Sequence, residues 1–292
     1  MIRMLCGVIA ALVVACASIS AAAPPKADPA LWMVKDGDTT IYLFGTVHVM
    51  KPGVEWMDDT VKSAFDSSGE LMLETVEPPP AELQAIVMKL AVRSDGRTLT
   101  ETLPEARRAQ LATVLAGYGM PANGLDRFEP WFASVIVSGM ALPRLGYDPT
   151  IGADRVLAER ARSEGKVLTG FEAPAEQLGY FDASSEEAQI AYLGTLLDDM
   201  DRIGPVSARI LELWSAGQPD ALGDAMNAEM SRTPALFKRL IADRNVRWAS
   251  WIEQRMAKPG VVFVAVGAGH LGGAGNVREL LAAHGLKAVR VH

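Results

Sequence analysis

The sequence predicts an α/β fold in which a central mixed β-sheet, built from strands near both ends of the chain, is covered by a long helical middle segment. The first observation is that Ile41–Phe44 and Val261–Val266 are uncharged, apolar runs of the length of buried strands. The second is a similar run at Leu71–Leu73. The third is that most segments between residues 81 and 256 have helical spacing of their apolar residues.

The first half of the chain begins with a predicted hairpin. Strands Leu31–Lys35 and Thr39–Gly45 flank Asp36-Gly37, a dipeptide that is typical of tight turns. A helix over Met57–Phe65 precedes the strand Glu70–Val76. Amphipathic or apolar patterns then predict helices over Ala81–Val92, Pro104–Ala116, Pro130–Leu142 and Ile151–Ser163.

The second half begins with a predicted strand, Lys166–Gly170, which is followed by Glu172. The segment Ser184–Glu187 has the pattern of a capping box and opens a helix that extends to about Asp201. Further helices are predicted over Pro205–Ala216, Pro219–Met230 and Pro234–Met256. A β-α-β unit closes the chain, formed by Val261–Val266, Asn276–Ala283 and Lys287–Val291.

Residues 1–23 have the features of a signal peptide. Arg3 is followed by an uncharged, mostly apolar run that is too short to span a bilayer, and Ser20-Ala21-Ala22 is a small-residue cleavage site. A second interpretation stays open, because Val13–Cys16 resembles a lipobox in which Cys16 would carry a lipid anchor. Either way, residues 24–292 form one exported domain, periplasmic or, with the anchor, an outer-membrane lipoprotein.

Composition excludes several kinds of site and partner. Both cysteines, Cys6 and Cys16, lie in the leader, so the mature domain has no disulfide, cysteine nucleophile or thiolate ligand. The net charge of −7 becomes more negative when the leader, with Arg3, is removed, which argues against nucleic acid as a partner. No segment after the leader is long and apolar enough to span a membrane.

Two histidines share one local context. His48 and His270 each stand three residues after a glycine that ends an apolar strand, in the motifs Gly45–His48 and Gly267–His270. Ligands and catalytic groups collect outside the carboxyl ends of strands in α/β sheets, so both imidazoles are expected to face one crevice. Imidazole is the commonest metal ligand and the commonest general base near neutral pH.

Two carboxylates occupy similar positions. Glu74 ends the apolar run Leu71–Leu73, and Glu172 follows the next predicted strand. Together with the two histidines, they suit a divalent metal with open coordination positions. Alternatively, Glu74 caps a helix or meets a surface lysine, and Glu172 caps the segment after it. Arg244 and Asn245, on a predicted helix, are candidates for substrate or oxyanion contacts.

A glycine motif near the end of the sequence has the pattern of a nucleotide-binding motif. Residues Gly267–Gly272 fit G-x-G-x-x-G between a strand and a helix. A dinucleotide site also requires an acidic residue about 20 positions further on, and the strand there has none. The glycines are better explained as allowing the backbone to bend tightly beside His270.

These segments, in this order and at this spacing, resemble the TraB/GumN family, which includes the Tiki-type metalloproteases. The resemblance rests on Ile41–His48, Leu71–Glu74, Pro130-Trp131, Gly170–Glu172 with Gln177, Asp243–Trp248 and Phe263–Gly272. It implies a fold similar to that of erythromycin esterases and the haem-binding ChaN proteins. It also implies that His48, His270 and Glu74 are the hallmark residues of a divalent-metal hydrolase, with Mn or Co as the metal of Tiki members. The imidazole and carboxylate donors also suit Zn.

The sequence therefore predicts an exported, divalent-metal-dependent hydrolase that acts on peptides. His48, His270, Glu74 and Glu172 are the predicted metal ligands, and Glu74, Arg244 and Asn245 are the predicted catalytic residues. Two alternatives stay open. One is an esterase on the same scaffold, and the other is a non-catalytic periplasmic protein that binds haem or a metal. The substrate, a peptide or another small molecule, is not specified by the sequence.

Overall fold

The structure is a computed structural model that describes residues 26–230 and 233–292. The predicted signal peptide and lipobox, residues 1–23, lie outside the described residues.

The described strands are β1 (Leu31–Lys35), β2 (Thr39–Thr46), β3 (Glu70–Thr75), β4 (Val167–Glu172), β5 (Gly260–Gly267) and β6 (Val289–Arg290). The described helices of the first half are α1 (Asp59–Ser67), α2 (Pro80–Leu90), α3 (Leu99–Thr102), α4 (Glu105–Gly117), α5 (Pro130–Arg144) and α6 (Ala153–Ser163). Those of the second half are α7 (Pro174–Asp182), α8 (Glu186–Asp198), α9 (Ile203–Ser215), α10 (Pro219–Met230), α11 (Pro234–Phe237), α12 (Asp243–Arg255) and α13 (Val277–Ala283).

The strands form one mixed sheet in the order β4-β3-β5-β2-β1-β6. The first four are mutually parallel, whereas β1 is antiparallel to both of its neighbours. This arrangement confirms the predicted α/β class with a sheet built from both ends of the chain. It also brings the carboxyl ends of β4, β3, β5 and β2 to one edge, side by side in that order.

Helices cover both faces of the sheet, as expected for parallel strands. One face packs Phe44, Leu71 and Phe263 against residues of α1, α6 and α9. The other packs Ile41 and Val264, with their neighbours, against α12 and α13. The alternation of side chains along each strand sends successive apolar residues to opposite faces. The sheet is therefore held rigidly at the edge where the predicted site residues stand.

Part of the helical middle has a hydrophobic cluster of its own. Residues of α3, α4, α5 and α8, including Leu99, Leu115, Val137 and Leu193, pack mainly against one another. A smaller cluster at Leu236–Ile241 lies against residues of α7 and α8. No helix in the described ranges is both long and apolar enough to cross a membrane.

Several predicted helix boundaries were wrong. The helix-capping residue before α8 is Ser185, whose side chain accepts from the Ala188 backbone N–H, so the cap lies one residue later than the capping-box pattern predicts. The predicted helix Pro234–Met256 is divided into α11, a π-helical turn at Lys238–Ala242, and α12. Arg244 explains this interruption in part, because its guanidinium donates to the carbonyl of Leu240 within the π-helical turn.

Candidate functional site

The predicted site residues all stand at the carboxyl edge of the four parallel strands. Glu74 and Glu172 lie on the last residues of β3 and β4, and His48 and His270 follow β2 and β5 within three residues. Gly267 marks the centre of this group. A Cβ atom placed on Gly267 would lie 2.9 Å from Glu74 Oε1, 3.8 Å from His48 Nε2 and 3.7 Å from His270 Cδ2. The two histidines therefore both border the space beside Gly267 and Glu74, although their ligand atoms and those of Glu74 do not all lie within 4.8 Å of one another.

Glu74 is a buried carboxylate with several donors. Its Oε1 accepts from the Gly267 backbone N–H at 2.6 Å, and its Oε2 accepts from Arg244 Nη2 at 2.6 Å and from Gln177 Nε2 at 3.1 Å. Burial by itself raises the pKa of Glu74, but the positive charges of Arg244 and of His270, which is protonated at acidic pH, outweigh burial and lower the pKa from 4.5 to about 2. Glu74 is therefore ionised throughout the neutral range.

His270 is buried and fixed in one orientation. Its Nδ1 lies 2.6 Å from Asn245 Oδ1, which can only accept, so Nδ1 carries the proton and Nε2 carries the lone pair. Burial disfavours the imidazolium and lowers the pKa of His270 from 6.5 to about 4, although Glu74 acts in the opposite direction. At neutral pH the ring is neutral, and its Nε2 lies 3.2 Å from Arg244 Nη1.

His48 is also oriented through Nδ1 but remains open to solvent. Its Nδ1 lies 3.1 Å from Asp154 Oδ2, and 64% of its side chain is exposed. Loss of hydration lowers the pKa of His48, but the hydrogen bond and charge of Asp154 outweigh this and raise the pKa from 6.5 to about 9. Nδ1 donates to the carboxylate, so when the ring is neutral the Nε2 lone pair is free. His48 and His270 thus both bind an oxygen through Nδ1, but the Nε2 lone pair of His270 accepts from Arg244 Nη1 at 3.2 Å.

Glu172 is turned toward two arginines. Its side chain is 1% exposed, and both of its oxygens lie within 3.0 Å of Arg244 Nε. Arg247 Nη2 lies 3.3 Å from Glu172 Oε1 and donates to Tyr180 Oη at 2.7 Å. Arg244 joins the two buried carboxylates of the site, because it also donates to Glu74. Glu172 therefore orients Arg244, which in turn holds Glu74 in place.

A cavity of about 340 Å³ opens in front of this cluster. It is lined by Thr46, His48, Leu73, Glu74, Thr75, Asp154, Gln177 and Ala265. The hydroxyl oxygens of Thr46 and Thr75 are buried and have no hydrogen-bond partner within residues 26–230 and 233–292. A cavity with unsatisfied polar groups, an ionised carboxylate and an imidazole suits a polar ligand.

The glycines of the Gly267–Gly272 motif have a packing explanation. A Cβ atom on Gly272 would lie 1.8 Å from the carbonyl oxygen of Pro219, and one on Gly269 would lie 3.2 Å from Met226 Sδ. Both contacts are made by α10, which crosses directly over this loop. The glycines therefore allow close approach of a helix, rather than binding of a nucleotide.

Two of the predicted catalytic residues do not face the cavity. Arg244 and Asn245 are buried, and neither lines the cavity. Asn245 Oδ1 accepts from His270 Nδ1, and Asn245 Nδ2 donates to the carbonyl of Gly275. Asn245 therefore orients the imidazole ring of His270. Two further residues contact the site but are not marked by any motif: Asp154, whose only signal is its place in the first turn of α6, and Arg247, which has none.

Two imidazole nitrogens and a carboxylate oxygen are a donor set that fits a divalent cation. Metal-ligating histidines usually donate their other N–H to a carboxylate or carbonyl oxygen, as His48 does to Asp154 and His270 does to Asn245. The open space beside Gly267 adds to this fit. These ligand atoms are nevertheless less tightly grouped than Asp28, Asp58 and His292, the one set in the described ranges with three such atoms within 4.8 Å of one another.

Comparisons with known proteins show which proteins the chain is similar to. Residues 30–290 match the TraB/PrgY/gumN family. The chain is 22% identical over 285 residues to an uncharacterized protein of Treponema pallidum (strain Nichols), a match that covers 91% of this chain and 85% of the relative. It is 23% identical over 260 residues to the uncharacterized protein YbaP of Escherichia coli (strain K12), covering 87% and 92%. No solved structure matches. Since the family match spans almost all of the described residues, the chain belongs to the TraB/PrgY/gumN family.

Proposed function

We propose that this protein is an exported, divalent-metal-dependent hydrolase that acts on peptides. The observation that carries the proposal is the matched orientation of two imidazoles beside one ionised carboxylate. His48 and His270 each bind an oxygen through Nδ1. His48 Nε2 lies 3.8 Å from the position of a Cβ atom on Gly267. His270 Nε2 lies 3.8 Å from Glu74 Oε1 and would have to exchange its bond with Arg244 for the metal. The resemblance to Tiki-type metalloproteases favours a peptide bond as the target.

His48, His270 and Glu74 would hold the metal. A divalent metal at this position supplies a bound water of lowered pKa and polarises a carbonyl. His48 must release its second proton to become a ligand, because its pKa of about 9 leaves the ring protonated at neutral pH in the free protein. Metal affinity is therefore expected to rise with pH and to be accompanied by proton release.

Glu74 suits the role of ligand better than that of general base. A general base is most effective when its pKa lies near the working pH, and the pKa of Glu74 is about 2. Its Oε1 is fixed by the Gly267 backbone N–H, which leaves little freedom for proton transfer. Gln177 and Arg244 hold the other oxygen, so the carboxylate is oriented from both sides.

We assign Arg244, Glu172 and Asn245 to positioning rather than to substrate contact. Arg244 is held by both oxygens of Glu172 and in turn holds Glu74. Asn245 keeps the proton of His270 on Nδ1. Each of these groups lies behind the residues that line the cavity, and each would act through the residue that it orients.

Metal content and peptide hydrolysis test this proposal together. Protein purified without a histidine tag is analysed for bound metals and assayed on quenched-fluorescent peptides, with and without a chelator. We expect chelator-sensitive cleavage that returns when Mn²⁺, Co²⁺ or Zn²⁺ is added. His48→Ala is expected to lose both metal and cleavage. His284→Ala is the matched control, because His284 pairs with Glu253 away from the site and should retain both. Cleavage by fully metal-free protein would contradict the proposal.

The two alternatives give different results in the same experiments. An esterase would cleave p-nitrophenyl esters under conditions in which peptides stay intact. A haem-binding protein would show a shifted Soret band on titration with haem and no cleavage of either substrate. The orienting bonds of both histidines favour a catalytic metal site over haem binding, because a catalytic metal site needs fixed ligands, and the substrate assays separate the peptidase from the esterase.

Export is proposed from the leader sequence alone. Mass spectrometry of the protein from membrane and periplasmic fractions tests it. A mature chain that begins near Ala23 supports a secreted periplasmic protein, and one that begins at a lipidated Cys16 supports an outer-membrane lipoprotein. Retention of residues 1–15 in the exported protein would contradict both.

A further inference from the structure

Two threonines lie in one row with Gly267 across the carboxyl edge of the sheet. Thr46 of β2 is paired with Gly267 of β5. One turn of the pleat earlier, Leu73 of β3 is paired with Ala265 of β5. Thr75 and Gly267 each lie two residues further along these strands. Thr75, Gly267 and Thr46 therefore stand side by side on three neighbouring strands, and this set is here called the threonine row.

The threonine row borders the candidate metal site. Thr46 and Thr75 are the last residues of their strands, and both line the cavity in front of Glu74. Gly267, between them, has no side chain. A Cβ atom placed there would lie 2.9 Å from Glu74 Oε1 and 3.8 Å from His48 Nε2. The space in which a metal would lie is therefore flanked by one threonine on each side.

The hydroxyl groups of both threonines lack a partner. Thr46 is 2% exposed, and neither its Oγ1 nor that of Thr75 has a hydrogen-bond partner anywhere in the part of the chain that the structure describes. A buried hydroxyl without a partner has a free-energy cost and is uncommon in folded proteins. A rotation of about 120° about χ1 exchanges the hydroxyl with the methyl group. An occupant of the cavity can therefore engage either hydroxyl without movement of the backbone.

The distance between the threonines indicates what kind of occupant would bind both. Neighbouring strands lie about 4.8 Å apart, so the backbones of Thr46 and Thr75, with β5 between them, are about 10 Å apart. An extended peptide rises about 3.4 Å per residue, so about three residues cover this distance. Its main chain offers donors and acceptors along its whole length, and a hydroxyl can pair with either. A small ester with a single acyl group is too short to contact both.

We propose that Thr46 and Thr75 bind the main chain of an extended peptide substrate on opposite sides of the bond that is cleaved. This inference rests on the proposed peptidase function. Because the hydroxyls contact the main chain of the peptide and not its side chains, substrates should be selected by length more than by sequence.

The test measures binding in metal-free protein, so that it does not depend on hydrolysis. N-acetyl-tetra-alanine amide and the shorter N-acetyl-alanine methylamide are titrated into the protein, and the ring C–H signal of His48 is followed by NMR. This signal is assigned with His48→Gln. We expect the longer compound to bind at least about threefold more tightly, because only the longer compound can form hydrogen bonds with both threonines.

Thr46→Val and Thr75→Val each replace a hydroxyl by a methyl group of similar size. Loss of one hydrogen bond is expected to weaken binding of the longer compound about 3- to 10-fold in each variant. Thr46→Ser keeps the hydroxyl and should bind within about twofold of wild type. Thr40→Val is the matched control, because Thr40 lies near the opposite end of β2, and it should leave binding unchanged.

Urea denaturation of Thr46→Val gives a second readout. Replacing an unpaired buried hydroxyl by an apolar group of the same shape is nearly neutral or stabilising. The variant is therefore expected to be at least as stable as wild type while it binds the longer compound more weakly. Unfolding at a lower urea concentration than wild type would show that the hydroxyl serves the fold, and would overturn its role in binding.

The outcomes separate the two proposals. Equal binding of the two compounds, or unchanged binding by Thr46→Val and Thr75→Val, would overturn the main-chain contacts even if peptides are cleaved. Weaker binding in only one of the two variants would overturn the arrangement on two sides of the metal. Length-dependent binding that both variants weaken, in a protein that cleaves no peptide, would leave the contacts standing and refute the peptidase.

Discussion

Glu74→Gln is expected to destabilise the protein by about 3 kcal/mol at pH 7. The surrounding charges lower the pKa of Glu74 from 4.5 to about 2, and one pKa unit corresponds to about 1.4 kcal/mol. Removing one partner of a buried ion pair typically costs about 3–5 kcal/mol. Arg244 stays paired with Glu172 in the variant, so the lower end of this range applies.

Urea denaturation of the metal-free protein between pH 7 and pH 3 measures this effect. A carboxylate whose pKa is lowered by folding contributes its full stability above its unfolded pKa, here 4.5. That contribution is lost as the pH falls toward 2, so the difference between wild type and Glu74→Gln should shrink over this range. Glu187→Gln, on the exposed surface of α8, is the control and should stay within about 0.5 kcal/mol of wild type. A loss below about 1 kcal/mol at pH 7, or one that does not change with pH, would refute the electrostatic account of Glu74.

Three further predictions concern the two histidines. Folding lowers the pKa of His270 from 6.5 to about 4, so the wild-type protein should lose up to about 3 kcal/mol of stability as the pH falls from 6.5 to 4. Urea denaturation should show that His270→Gln lacks this loss. Asn245→Leu frees the ring of His270 and should weaken metal binding by about 10- to 100-fold in a competition with a chelator, whereas an unchanged affinity would remove Asn245 from a positioning role. Asp154→Asn should move the pKa of His48 down from about 9 toward 6.5, which an NMR titration of the ring proton measures. An unmoved titration would show that Asp154 does not set the protonation of His48.

The sheet and its functional edge could be predicted from sequence because their signals are local. Each apolar run is the length of a strand, and the residue that follows it must lie at the end of that strand. His48, Glu74, Glu172 and His270 were found in this way, and the parallel pairing of their strands places all four at one edge.

The partners of these residues could not be predicted, because they come from distant elements. Asp154 reaches His48 only because α6 packs beside the end of β2, and no pattern around Asp154 marks it. The direction of Arg244 and Asn245 also depends on tertiary contacts. Helical spacing places both residues near the site, but the packing of α12 determines where their side chains point. Arg244 contacts Glu74 and Asn245 contacts His270, and neither side chain faces the cavity.

The position of β5 has a consequence for how the molecule is made. In the described sheet, β1 and β2 form one pair and β3 and β4 another, and only β5 is hydrogen-bonded to both pairs. This strand follows both pairs in the chain, so the two pairs cannot join through it until residues 260–267 have been synthesised. Contacts between such distant segments close slowly. Until then, the chain lacks the strand that joins β2 to β3, so the edge that brings His48 and Glu74 together cannot form.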